Sequence, residues 1–137
     1  MSSPDTLLQN TLQRLREVRL SLLKLHKALL FSERTVYEQF HGRVRSPNEF
    51  FQLVTEHEWF SWLRPMSQLI VRMDDVLHAK EPVILTQVTE LLEQTRSLLD
   101  PDDAGTSPQK RYFHAIQRDP DIALMHAEIS RLLASEI

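Results

Sequence analysis

Six side chains could, by type and spacing, hold a metal ion or move a proton: His26, Glu33, Glu38, His41, His57 and Glu58. Glu38 and His41 form a Glu-x-x-His pair, the spacing at which carboxylate-bridged di-metal bundles take two ligands from one helix. A turn after His41 brings His57 opposite Leu30 and Phe31, with His26 and Glu33 one turn to either side, so His26, Glu33 and His57 are expected to face each other. The set is incomplete for a di-metal centre, which needs that motif on two helices and one glutamate from each of two more. One copy is present, and Glu90 and Glu93 fall on a largely polar face. The favoured reading is histidines that cap helix ends or bond within the core, with no metal and no cofactor. A metal- or small-molecule-binding bundle, catalytic or not, is the alternative.

Other chemistries fail on inventory. No cysteine is present, which removes disulfides, thiolate ligands and a thiol nucleophile. Two glycines, Gly42 and Gly105, cannot build a phosphate-cradling loop, and neither sits in a Gly-x-Gly context. Asp100, Asp102 and Gly105 match the first, third and sixth positions of a calcium loop, but Ala104 and Arg111 stand where the fifth and twelfth ligands belong. That segment reads as a solvated linker. No serine or threonine has the strand-turn-helix setting of a nucleophile elbow.

At 137 residues, 42% hydrophobic and 26% charged, the chain has the composition of one folded domain able to bury its own core. The N-terminus lacks a basic-then-apolar leader, and the most apolar run, residues 20 to 31, is broken by Lys24, His26 and Lys27. A cytoplasmic protein without a membrane span is expected. Net charge of −3 argues against a nucleic-acid binder. The charge is unevenly spread: residues 1–45 hold eight Lys/Arg and four Asp/Glu, a balance of +4, whereas residues 46–137 hold eight and fifteen, a balance of −7. Complementarity within one bundle explains this most simply, and an acidic protein partner at the basic first helix is the sharper reading.

The elements that position these residues are helical. Leu8, Leu12, Leu15, Val18, Leu22, Leu25, Leu29, Val36 and Phe40 recur every three or four residues and predict one helix from about 5 to 41, ended by Gly42. Ser46-Pro47-Asn48-Glu49 has the form of a capping box and opens a second helix running to Leu77. A third helix is predicted from about Pro82 to Leu99. A fourth runs from Pro108 and is broken at Asp119-Pro120 before continuing to about residue 135, with Ser107 and Asp119 as caps. The fold class is all-α, an antiparallel up-down four-helix bundle with two long N-terminal helices. Pro65 should kink the second helix near residues 61–64. Arg19 is expected to pair with Asp74 or Asp75.

Five of the ten aromatic residues, Phe50, Phe51, Trp59, Phe60 and Trp62, fall within thirteen positions, with Phe31, Tyr37 and Phe40 opposite them on the first helix. The first helix is ~55 Å long and the third only ~25 Å, so the third leaves this hairpin tip bare. Apolar surface of that extent needs a cover. Tyr112, Phe113 and Ile116 of the fourth helix could supply it, or a second copy could. The leading functional expectation is a non-catalytic protein that self-associates as a homodimer, or binds a protein partner, through those eight aromatics.

Overall fold

The fold, obtained as a computed structural model, is described for residues 3–134, all of it helical or connecting, with no strand among those residues. Helix α1 spans Pro4–His41, α2 Pro47–Glu56, α3 Arg64–Leu77, α4 Leu85–Leu98, α5 Ser107–Arg118 and α6 Pro120–Ala134. A 3-10 helix, Glu58–Leu63, lies between α2 and α3.

Local chemistry sets each boundary. Ser3 caps α1 by accepting from the Thr6 amide at 3.1 Å, and Pro4 follows at a position where the missing N–H costs nothing. The 38-residue helix stops at Gly42, whose φ of 83° and ψ of 175° lie in a region open almost only to glycine. Its N–H closes the last turn on the Glu38 carbonyl at 3.1 Å. Ser46 accepts from the Glu49 amide at 3.1 Å, but the Glu49 carboxylate accepts from Arg45 N–H at 3.0 Å rather than from Ser46, so the expected box is shifted by one residue. At α5 the cap is Thr106, one residue before the expected Ser107. Gln109 Oε1 accepts from the Thr106 amide at 2.7 Å, and a Cβ at Gly105 would run into that oxygen.

The single long second helix is corrected. The chain leaves α2 at His57, earlier than the expected kink, and Pro65 lies in the first turn of α3. Two contacts explain the break. His57 Nδ1 accepts from the Trp59 amide at 3.0 Å, diverting it from the helical ladder. The Arg64 guanidinium donates to the Val54 and His57 carbonyls at 3.3 and 2.8 Å, capping the carbonyl end of α2. Pro65 therefore obeys the same rule as Pro4 and Pro47 and starts a helix instead of bending one.

Helix α1 packs on α3, α4 and α6, most extensively on α6. The central leucines Leu15, Leu22, Leu25 and Leu29 are fully buried with Val18, against Met66 and Met73 of α3, Val88 of α4 and Ile122 and Ile129 of α6. Arg19 pairs with Asp74 as expected, and Phe31 lies 6.1 Å from Phe50 ring to ring, so α1 and the segment from α2 to α3 run antiparallel. Arg96 of α4 donates to the Leu133 carbonyl near the end of α6, satisfying an acceptor that the helix itself leaves open. The connection after α4 is tied rather than loose: Gln109 donates to the Asp100 carboxylate at 2.8 Å and the Ala104 amide to Asp102 at 2.9 Å.

Helices α5 and α6 are latched by Tyr112 and His126, hydrogen bonded at 2.7 Å between Oη and Nδ1. Burial pushes the Tyr112 phenol well above its usual value and the His126 imidazole below its ordinary 6.5, so burial favours the neutral form of both. His26 is also lowered by burial, opposed by its hydrogen bond to the Leu63 backbone. Both histidines then bind fewer protons folded than unfolded once the pH falls below 6.5. Stability conferred by the neutral rings is complete above that value and lost as the pH falls from it toward the lowered folded values. Urea midpoints measured at about pH 7.5 and about pH 5.5 should show the wild-type protein weaker at the lower pH, with the difference reduced in His126→Asn.

Candidate functional site

Glu33 is the centre of the best-defined polar site. It follows Leu22, Leu25 and Leu29 on the inward face of α1, and its side chain is 2% exposed. Water cannot solvate a carboxylate there, so the protein must supply the donors. Trp59 Nε1–H donates to Glu33 Oε2 at 2.9 Å and Arg111 Nη2 donates to the same oxygen at 3.1 Å. Arg118 Nη2 lies 3.7 Å from Oε1, and its Nε donates to Ser32 Oγ at 3.0 Å. Arg111 donates again to the Trp59 carbonyl at 3.0 Å, and its guanidinium lies over the Trp59 and Trp62 rings at 5.0 and 5.8 Å. One carboxylate thus joins α1, the 3-10 helix and α5.

The six candidate ligands are dispersed by their bonding. Glu33 is saturated by two cations and an indole, an environment made for a fixed anion rather than for a metal. Glu38 accepts from the Val44 amide at 2.8 Å and lies 3.8 Å from Arg34. His41 stacks on Tyr37 at 4.4 Å, and His57 is used as a cap. Glu58 is exposed, and its carbonyl accepts from Ser61. His26 turns to Leu63 and lines a groove, so the expected convergence of His26, Glu33 and His57 is not formed. Among the described residues no group of three or more His, Asp or Glu is placed to hold a metal ion.

No protein-family model, curated protein or solved structure matches this chain. The geometry alone therefore carries the functional reading. Among the described residues, no helix is long and apolar enough to cross a membrane.

The eight aromatics divide into two groups. Tyr37 sits at the middle of an internal cluster, with ring contacts to His57 at 5.4 Å and to Trp59 and Phe60 at 5.8 Å. Phe60 is fully buried and Phe50 packs edge-on against it at 5.9 Å. Trp59 and Trp62 are half-buried under Arg111. Of the expected cover from α5, Tyr112 is buried and Ile116 packs on the core, while Phe113 is half-buried against His114. Phe31, Phe40 and Phe51 remain 49%, 73% and 67% exposed, and these three are the part of the tip left available to another molecule.

A groove of about 260 Å³ opens between α1, α2 and α3, lined by His26 of α1, Val54 and Thr55 of α2, and Arg64, Gln68 and Val71 of α3 among others. Sequence reasoning missed Arg111 and Arg118 as the partners of Glu33. The available signal was an acid on an apolar stripe, which demands a cation, although nothing in the local spacing says which cation answers it.

Removal of the carboxylate leaves the indole N–H of Trp59 without its acceptor and two guanidinium groups at the junction without their counter-charge. Glu33→Ala should lower the unfolding free energy by roughly 3 kcal/mol, read from urea denaturation, and Glu33→Gln should cost less because an acceptor for Trp59 is kept. A loss under about 0.5 kcal/mol, the usual size for a surface site, would contradict this role.

Proposed function

We propose that this chain is a non-catalytic interaction protein, a variation on the four-helix bundle in which the second and fourth legs are each broken, and that it binds protein through its residual aromatic surface. The observation that carries the reading is the exposure of Phe40, 73%, against the ring of Trp59, together with that of Phe51, 67%, on the outer side of α2. Large exposed aromatics beside a packed, rigid cluster are the composition of an interface core. Four of the polar groups that could do acid-base chemistry are committed to structural bonds: Glu33 to its cations, Glu38 to a loop amide, His57 to a helix end and His126 to Tyr112.

Self-association through the tip is the form of this reading that needs no second gene product. Phe40 stands at the end of α1 against Trp59, with ring centroids 6.0 Å apart, so a twofold contact there would extend the internal cluster across the axis. The competing ligand-binding reading rests on the groove beside His26, whose volume suits one or two apolar side chains better than a drug-sized molecule.

Light scattering on the eluting protein tests self-association. The expected particle is twice the 16.1 kDa chain mass, reduced to the monomer in Phe40→Asp with helical content intact. A monomer at every concentration, unchanged in the variant, would overturn the dimer.

A further inference from the structure

We infer that α2 is a hinged flap, a helix that leaves the body of the bundle as one unit while α1 and α3 to α6 stay folded. The inference does not depend on what the protein binds.

Three observations converge on α2. Among the described residues it is the one α-helix that contributes no buried residue, whereas α5, only two residues longer, buries Tyr112 and Ala115. Its backbone comes close chiefly to the 3-10 helix. The space beneath it is incompletely filled, because the groove of about 260 Å³ lies where Val54 and Thr55 of α2 face His26 of α1 and Gln68 of α3. Side chains that border a void forgo the dispersion contacts of a packed interface. An element so held opens at a lower free energy than the core.

Both ends of α2 are built as pivots. Before it, Val44 is buried and fixed to α1 twice, its N–H donating to Glu38 at 2.8 Å and its carbonyl accepting from Arg34 at 3.4 Å. The next residue already belongs to the flap, since the Arg45 amide donates to the Glu49 carboxylate at 3.0 Å. After α2, His57 is extended, with φ −81° and ψ 138°. Its Nδ1 accepts from the Trp59 amide, so the 3-10 helix keeps its own cap when α2 moves.

Two ties close the flap. Phe50 reaches inward, with its ring centroid 5.9 Å from that of Phe60, 6.1 Å from that of Phe31 and 4.9 Å from the Arg34 guanidinium carbon. Arg64 of α3 donates to the Val54 and His57 carbonyls at 3.3 and 2.8 Å. The Trp59–Glu33 bond takes part in neither tie and stays with the body. Opening lifts Phe50 from Phe60, which is fully buried beneath it, and adds that ring to the exposed aromatic surface of the tip.

Native-state hydrogen exchange on the full chain tests the flap. A helix of 10 residues is marginal by itself, so the amides from Phe50 to His57 exchange once it detaches. They should share one opening equilibrium and exchange at least about a hundredfold faster than the Leu22 and Leu25 amides. Ile129→Val, in the core between α1 and α6, should speed exchange at Leu22 and Leu25 about fivefold and leave α2 unchanged, because its contacts persist in the open form. Arg64→Ala should speed exchange across the whole of α2 by about tenfold. Acceleration of α2 in step with Leu22 and Leu25 in Ile129→Val would overturn the flap, since α2 would then open only by global unfolding. Acceleration in Arg64→Ala confined to the residues nearest His57 would overturn opening as a unit and leave a fraying helix end.

Discussion

A carboxylate enclosed among leucines has to be met by donors from the protein, and the rest of this structure is arranged around that requirement. Glu33 lies on the inward face of α1, where an apolar residue would continue the stripe from Leu22, Leu25 and Leu29. Its donors come from two distant parts of the chain, Trp59 in the 3-10 helix and Arg111 and Arg118 in α5. The 3-10 helix must therefore hold Trp59 with its indole N–H pointing at α1, and α5 must lie across the end of the core. A buried ion pair of this kind adds less net stability than its bonds suggest, because the charges were well solvated before folding. Its effect is geometric, since any alternative placement of α5 leaves a buried anion without its two cations.

The consequences reach the surface. Once Arg111 lies over Trp59 and Trp62, the aromatic tip is closed from within on one side, and Phe60 is removed from water altogether. The aromatics left outside are those on the ridge of α1, on the outer side of α2 and at the end of α1. Phe40 is 73%, Phe51 67% and Phe31 49% exposed.

Much of the scaffold was legible because it is written in short-range chemistry. The three-four spacing of apolar residues gave α1 almost to the residue, Gly42 gave its end, and the serine before Pro4 marked its start. The Arg19–Asp74 pair followed from the antiparallel arrangement. The 3-10 helix was not legible, because part of its cause is a side chain seven residues beyond His57: Arg64 caps α2 from the far side of the turn, and proline grammar alone cannot distinguish a kinked helix from a new one. The partners of Glu33 were hidden for the same reason at longer range. Arg111 and Glu33 are 78 positions apart, and only the packing of α5 brings them together. The ring residues closely spaced in sequence do not share one helical face, and α2 and the 3-10 helix send Phe60 inward and Phe51 outward.

Hydrogen exchange at the Trp59 indole N–H, followed by NMR beside the backbone amides of α1, tests most directly whether the tip is closed from within. Because that proton is donated to a carboxylate 2% exposed, it should exchange only through opening comparable to global unfolding, at a rate close to that of the Leu22 and Leu25 amides. Fast exchange at Trp59 while those amides stay protected would contradict the account, since the aromatic tip would then open independently of the core.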